Sequence, residues 1–469
     1  LTADSLKIIV QKFGGTSVDS AEHRLEAARR VSETKARGLL PVVVVSAIGR
    51  AGEPYATDTL LEELRKVDPL VAPSPREQDL ILACGEIIST VIMAQAVKAL
   101  GHETIALTGG QAGIITDYSF GNARIVSIEP GYILYCLEQG KIPVVTGFQG
   151  VTERPSPRMH GAITTLGRGG SDTTASSLGY ALGARAVEIY TDVDGVKTAD
   201  PKLVPTARTL ETVSYHAVSE MSHLGATVLN PRAAEIAMKH SIPLRVKSTF
   251  GDGEGTLITN LPRRSVAQLD EMDIVAAANS PRVAYFVFRV DHPGDLAVVE
   301  DEIYTILGDQ HINVYLVSRG ARSFAFAVRR TVRTYVEELL DALVVPVGVE
   351  RKGGKGFCGR LYLFEVEGRT KTFEAQRQLL KKTGGLLETR VVKTKVEDNC
   401  AIVSLIAQTE TSAPGILAQL ARSMDRAGVE MLQLSTSPMS ISCLVRDQEV
   451  GRAVSTLHRD FIEARWQPG

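Results

Sequence analysis

Short apolar runs alternate with long helical stretches through the first half of the chain, and this rhythm restricts the fold more than any other feature. Strand-like runs stand at Lys7–Lys12, Pro41–Ser46, Glu103–Leu107, Ile142–Thr146, Ala186–Tyr190 and Leu244–Lys247. Between them lie helical patterns at Ala21–Arg37, Arg76–Leu100, Asp172–Leu182 and Pro231–His240, with Ser171 and Asp172 as cap candidates and Pro231 suited to a first turn. Strands interleaved with helices imply a mainly parallel sheet covered on both faces, an α/β fold with ligands at the carboxyl ends of its strands. The glycine-rich stretches mostly follow strands, where such a fold keeps its site.

At 469 residues the chain exceeds one ordinary core, and near Asn260-Leu261-Pro262 its texture changes to shorter strands with a weak repeat. Asp291-His292-Pro293-Gly294, a helical stretch, Ile312-Asn313-Val314 and the strand Ser323–Val328 make one copy. Ala413-Pro414-Gly415, a helical stretch, Gly428-Val429 and the strand Ser440–Val445 make the other. Each reads as β-turn-α-β-β, half of a ferredoxin-like α+β sandwich. Gly294 to Ile312 is four positions longer than Gly415 to Val429, about one helical turn, which suggests helices of unequal length. Between the copies, strands at Leu361–Val366 and Leu387–Val396 flank a helix at Lys371–Lys382, a partial third unit. The expected organisation is an α/β domain over 1–262, a ferredoxin-like unit over 270–346, the insert over 347–396 and a second such unit over 397–469.

Four clusters carry chemistry. In Val10-Gln11-Lys12-Phe13-Gly14-Gly15-Thr16-Ser17-Val18 a strand delivers a fixed cation beside a glycine turn whose N–H groups can approach a phosphate. In Thr164-Thr165-Leu166-Gly167-Arg168-Gly169-Gly170-Ser171-Asp172 three glycines surround a guanidinium that can grip a carboxylate bidentately, at the start of a helix. Ser171 and Asp172 also read as mere caps. Tyr190-Thr191-Asp192-Val193-Asp194-Gly195-Val196-Lys197, with Lys202 close behind, reads equally as a nucleotide edge or as an Asp-Gly turn closing a strand. Ser46 ends an apolar run, and Glu86 lies within a mostly apolar helix, where its carboxylate needs a partner: a substrate ammonium or an internal arginine.

Several classes are excluded or unsupported. Lys and Arg total 52 against 54 Asp and Glu, so no global basic field points to nucleic acid, and 5% aromatics argue against base-stacking platforms. The five cysteines form no C-x-x-C pair, which fits free thiols in a reducing cytoplasm and no metal site. No apolar run is read as approaching the ~18 residues of a membrane span, and no signal-peptide layout opens the chain. Neither a P-loop nor a dinucleotide fingerprint is present. The four clusters together describe phosphoryl transfer without a general base. A carboxylate acceptor has a pKa of about 4 and is already ionised, so the site needs cations and N–H donors to offset repulsion from a triphosphate. Lys12, Arg168 and a magnesium ion would serve.

These residues resemble the aspartate kinases of the amino-acid kinase superfamily. KFGGTSV at 12–18, SAIGRAGEPYATDTLL from Ser46, CGEIIS from Cys84, TTLGRGGSD at 164–172, YTDVDGV from Tyr190 and GATVLNPRA from Gly225 carry the likeness. SPREQDL at 74–80, STF at 248–250 and Leu457-His458 look most like the diaminopimelate-sensitive type of spore-forming bacteria. The resemblance implies a three-layer αβα kinase fold followed by ferredoxin-like ACT domains. It implies ATP- and Mg2+-dependent phosphorylation of L-aspartate to 4-phospho-L-aspartate, the entry to lysine, threonine and methionine. It places Lys12, Gly14, Gly15, Thr16 and Ser17 at the ATP phosphates and Thr191, Asp192, Lys197 and Lys202 along the nucleotide. Aspartate falls to Ser46, Thr57, Glu86, Arg168, Gly169, Gly170 and Ser171, with Asp172 organising the centre around Lys12 and no protein-held metal. A cytoplasmic homodimer is implied, with lysine, threonine or diaminopimelate as effector and neither nucleic acid nor membrane as partner. The alternatives are a superfamily kinase for another carboxylate and an amino-acid sensor without catalysis. The chain departs from the family at Thr227, at Glu430 and Leu432 in the second copy, at Tyr315 in the first, and in the insert.

Overall fold

The computed structural model describes residues 7–68, 71–153, 161–167, 169–226, 229–261, 273–280, 282–351, 357–369, 373–375, 377–378, 387–408 and 414–465. The chain divides into two compact units, Leu1–Ala276 with Ile406–Ala413, and Ala277–Leu405 with Pro414–Gly469.

The strands of the first unit are β1 (Ile8–Phe13), β2 (Leu40–Val45), β3 (Thr104–Leu107), β4 (Ile114–Thr116), β5 (Ile125–Ile128) and β6 (Ile142–Thr146). They continue as β7 (Gln149–Thr152), β8 (Ile163–Thr165), β9 (Ala186–Thr191), β10 (Thr212–Ser214), β11 (Leu244–Ser248) and β12 (Thr256–Thr259). Eight of them form one sheet in the order β10-β12-β11-β9-β1-β2-β6-β3, parallel except between β11 and β12. β4, β5, β7 and β8 make a separate small sheet. The helices are α1 (Ala21–Ala36), α2 (Thr57–Lys66), α3 (Pro75–Ala99), α4 (Gly131–Glu138), α5 (Gly170–Ala181), α6 (Tyr215–His223) and α7 (Pro231–His240).

Fully buried runs such as Val42–Val45 mark the inner strands, as parallel sheets covered on both faces require. Phe13 stacks on Tyr190 at 4.8 Å within a core that includes Val31, Val43, Met93 and Val144. Since side chains alternate along β1, the face opposite Phe13 carries Lys12. β1 sits between β9 and β2 in the middle of the sheet, so its carboxyl end opens among the loops of its neighbours.

Helix α3 corrects one expectation. Its 25 residues are apolar enough, by length and composition, to cross a membrane, because Glu86 alone interrupts the stretch from Leu80 to Val97 with charge. It buries Asp79, Ala83, Gly85, Glu86, Ser89, Thr90, Met93 and Val97 inside the unit, and two carboxylates on its buried side suit a core helix better than a lipid-facing one.

The second unit is built on a sheet of β13 (Ile274–Asn279), β14 (Val283–Val290), β15 (Tyr315–Arg319), β16 (Ser323–Arg329), β17 (Val344–Arg351), β18 (Phe357–Val366), β19 (Leu387–Ala407), β20 (Gln433–Thr436) and β21 (Ser440–Arg446), of which the start of β13 and the last two residues of β19 count with the first unit. Helices α8 (Leu296–Asp309) and α9 (Arg333–Ala342) belong to its first repeat, and the helices Pro414–Arg426 and Val450–Phe461 to its second. Phenylalanines 286, 288, 324 and 326 fill the core beneath α8. The two repeat helices are 14 and 13 residues long, so unequal length does not explain the four-residue offset. It arises mainly at the helix entry: Pro293–Asp295 forms a separate 3-10 turn ahead of α8, whereas Pro414 is itself the first residue of its helix. β18 and β19 pair in parallel, as a β-α-β link demands. Much of the helix expected at Lys371–Lys382 lies outside the described residues. β19 runs unbroken across position 396, where the sequence places a domain boundary.

Candidate active site

A cleft of about 450 Å3 opens at the carboxyl ends of β1 and β2. Its walls bring together Lys12, Gly14 and Gly15 with Ser46, Thr57, Glu86, Gly169, Gly170 and Ser171. Residues from three of the four sequence clusters thus face one space.

Lys12 is buried to 9% exposure, and its ammonium lies 2.7 Å from Asp172 Oδ1. The other Asp172 oxygen accepts the Asn230 N–H at 3.2 Å. Asn230 also caps α7, its side chain accepting from the Arg232 N–H. The turn after β1 is a 3-10 turn over Gly15–Ser17, anchored by the Gly14 N–H donating to the Tyr190 carbonyl at 3.2 Å. A Cβ on Gly15 would stand 2.9 Å from the carbonyl oxygens of both Ala47 and Gly49, so only glycine lets the first loop nest against the second.

Ser171 and Asp172 are not caps. Gly169, with φ of 75°, occupies the cap of α5, and the two side chains fall in the first turn. They are thereby released for the site: Ser171 Oγ shares a 2.8 Å hydrogen bond with Ser46 Oγ, and Asp172 takes Lys12. A Cβ on Gly169 would sit 2.3 Å from Asn230 Nδ2.

Glu86 is 3% exposed. Its Oε1 accepts the Ala47 N–H at 3.2 Å, while Oε2 is buried without a hydrogen-bond partner among the described residues. Of the two partners the sequence allows, no arginine among the described residues takes part in these contacts. Burial pushes the Glu86 carboxyl up to about 8, against the smaller opposing effect of the Ala47 amide. Gly85 makes this approach feasible, because a Cβ there would lie 2.7 Å from the Tyr55 carbonyl and 3.0 Å from Ala47 Cβ.

Ser17, expected at the phosphates, is turned inward: it is fully buried, its hydroxyl shares a 2.7 Å bond with Thr249 Oγ1, and its N–H donates to Gly14. Thr16 is half-buried in the same turn. Arg168 lies outside the described residues, as does Thr227.

Of the residues expected along the nucleotide, Thr191 ends β9 and Asp192 follows it, close to Gly14 through the pairing of Phe13 with Tyr190, while Lys197 and Lys202 lie farther along the loop. They do not line the cleft. Asp192 pairs with Arg50 at 3.1 Å, Thr191 donates to Asp192, and Lys197 is held by Asp194 and Thr209 at 2.8 Å each. Lys202 is exposed.

The sequence reading missed other walls of the cleft: Gly49, Asp58, Leu61, Leu82, Gly121 and Phe148. Asp58 was within reach, because it follows Thr57 at the start of α2. Phe148 carries no local signal, yet it adopts φ of 68°, a left-handed conformation that costs a bulky residue about 1–3 kcal/mol. Its carbonyl accepts the Leu166 N–H at 2.8 Å and its N–H donates to Thr174 Oγ1 at 3.1 Å, which hold the strained turn against the glycyl loop.

Comparison with known proteins agrees with this arrangement. The amino acid kinase family model matches residues 7–248, and an ACT domain model matches residues 395–459. The aspartokinase of Mycolicibacterium smegmatis is 35% identical over 97% of this chain and 96% of its own length. That of Bacillus sp. (strain MGA3) is 37% identical over 97% of both. In fold, the chain is similar to E. coli aspartokinase III solved with aspartate and ADP, at TM-score 0.67 and 23% identity, over 97% of this chain and 99% of that one.

Proposed function

We propose roles for the residues of this cleft from one premise: the chain belongs to the aspartokinase family, with an amino-acid kinase domain and an ACT domain. The enzyme transfers a phosphoryl group from ATP to the side-chain carboxylate of L-aspartate, forming 4-phospho-L-aspartate for amino-acid biosynthesis. The acceptor is an anion before the reaction begins, so catalysis consists of positioning and charge compensation.

The unpartnered Glu86 oxygen carries the reading. A buried carboxylate with one oxygen unsatisfied is a poor structural element but a good receptor for an ammonium, which supplies the missing donor and offsets the cost of ionising it. Glu86 therefore takes the α-ammonium of aspartate. The substrate's side-chain carboxylate would then point toward Lys12, whose charge, balanced by Asp172 while the site is free, shifts to phosphoryl oxygens as they develop negative charge. Asp172 keeps the ammonium of Lys12 in place, and Gly14 and Gly15 offer backbone at close range to the phosphates. Ser46, Thr57, Gly169, Gly170 and Ser171 complete the aspartate pocket, and Arg168, by motif, grips a carboxylate of the substrate. Thr191, Asp192, Lys197 and Lys202 flank the nucleotide at the end of β9.

Magnesium would enter with ATP, because this ion is generally held by phosphates and one or two carboxylates rather than by an all-protein cage. Its contribution is to neutralise phosphate charge. The ACT domain points to an amino-acid effector, and lysine, threonine and diaminopimelate are the candidates. A cytoplasmic homodimer is the expected setting.

The test is acyl hydroxamate formation from ATP, Mg2+, hydroxylamine and a candidate acid. L-aspartate should give signal and L-glutamate little, while Lys12→Ala should lower turnover by ~100-fold or more, the loss typical of removing one electrostatic stabiliser. A Lys12→Ala enzyme with near-normal turnover would refute the assignment of the first loop.

A further inference from the structure

Asp79 is buried to 0% exposure on α3, seven residues before Glu86 and so about two turns away on the same side of the helix. Its carboxylate collects donors from two other segments. Gly121 N–H, on the connection between β4 and β5, lies 3.0 Å from both oxygens. Thr165, the last residue of β8, donates its N–H to Oδ2 at 2.9 Å and its hydroxyl to Oδ1 at 2.6 Å. Among the described residues these donors are its bonds and no cation takes part. Gly121 and Thr165 both line the cleft, as do Gly167, Gly169 and Gly170 just beyond Thr165. The two tied segments are also bonded to each other, Ala123 N–H to the Thr165 carbonyl at 2.8 Å.

We infer that Asp79 is the positioning residue that fixes the distance between Glu86 and the glycyl loop, and thereby sets the affinity for the amino-acid substrate. Glu86 holds one end of aspartate and the loop after Thr165 holds the other, a division that rests on the reading of the cleft given above. Both are referred to a single buried carboxylate on the Glu86 helix. Mere packing would not need a charged side chain here: an apolar residue of similar size would bury without calling for a satisfied set of donors. What the carboxylate adds is a fixed geometry between three segments. The nucleotide side is built on β1 and β9 and makes none of these bonds, so the effect belongs to aspartate alone.

The experiment compares Asp79→Asn with the natural enzyme under steady-state conditions, varying aspartate and ATP separately, well below the melting temperature of each protein. Asparagine keeps the shape but turns an NH2 toward N–H donors. KM for L-aspartate should rise about ten-fold or more while KM for ATP changes less than about two-fold, the scale of one lost hydrogen bond to a charged group. Thr165→Val should raise the aspartate KM in the same sense, and Thr165→Ser, which restores the hydroxyl, should bring it back toward the natural value. A folded Asp79→Asn enzyme with an unchanged aspartate KM, or with both constants raised equally, overturns the inference. If that variant does not fold, the Thr165 pair decides: equal aspartate KM for valine and serine overturns it. A natural enzyme that makes no hydroxamate from aspartate would instead defeat the functional reading beneath it.

Discussion

Glu86 shows how one side chain can be legible in sequence while its chemistry is not. The acidic residue in an apolar helix is visible in the chain, but its bond to the Ala47 amide, and the second oxygen without a hydrogen-bond partner among the described residues, appear only once α3 meets the loop after β2. Its carboxyl sits near 8 when folded, against an ordinary 4.5. The folded protein therefore binds more protons than the unfolded chain between these values, and stability falls as pH rises through that window. Glu86→Gln removes the titration. Its melting temperature relative to the natural enzyme should rise steadily from about pH 5 to pH 8.5, which thermal unfolding at a series of pH values would measure. In the natural enzyme, kcat/KM for aspartate should climb as pH increases toward about 8, because an ionised Glu86 is what an ammonium binds. A flat profile over that range would remove Glu86 from substrate binding. Ser17 is the opposite lesson: the family motif put it at the phosphates, while its hydroxyl shares a bond with Thr249, more than two hundred residues later.

At the scale of elements the sequence was read well wherever periodicity and burial agree. The inner strands β2 and β6 were the most legible, because parallel strands inside a covered sheet are buried along nearly their whole length. The small sheet of β4, β5, β7 and β8 was not, because its strands are three or four residues long and half-exposed in places, too short to show a period. The contact between α3 and the Tyr55 loop was equally hidden, since Gly85 announces a close approach without naming its partner. Gly85→Ala would drive a methyl to within 2.7 Å of a backbone carbonyl. Overpacking of this kind costs about 1–3 kcal/mol, and because the strain falls beside Glu86, aspartate KM should rise together with the loss of stability. Denaturant unfolding and steady-state kinetics on the same preparation would check both.

For the molecule as a whole, the sequence conveyed two kinds of architecture in succession: an open α/β sheet, then helices on an antiparallel-rich sheet. It could not convey that β19 is a single strand of 21 residues spanning the insert and the second repeat, because neither the register nor the pairing of a long strand is written locally. The ACT domain predicts that turnover responds to a free amino acid. Lysine, threonine and diaminopimelate, added separately to the hydroxamate assay, should include at least one that lowers the rate at fixed aspartate. Indifference to all three, with full catalytic activity, would mean that the second unit does not sense these compounds.

Phe148 gives the cleft a liability as well as a shape. A ring residue held in a conformation made for glycine is tension kept in the wall of the cavity, and any change that relaxes it yields a firmer scaffold. Selection for heat resistance alone would favour that release, and with it a change in the shape of the cavity wall. Hardening this enzyme without dulling it means leaving position 148 untouched and strengthening the surface far from it.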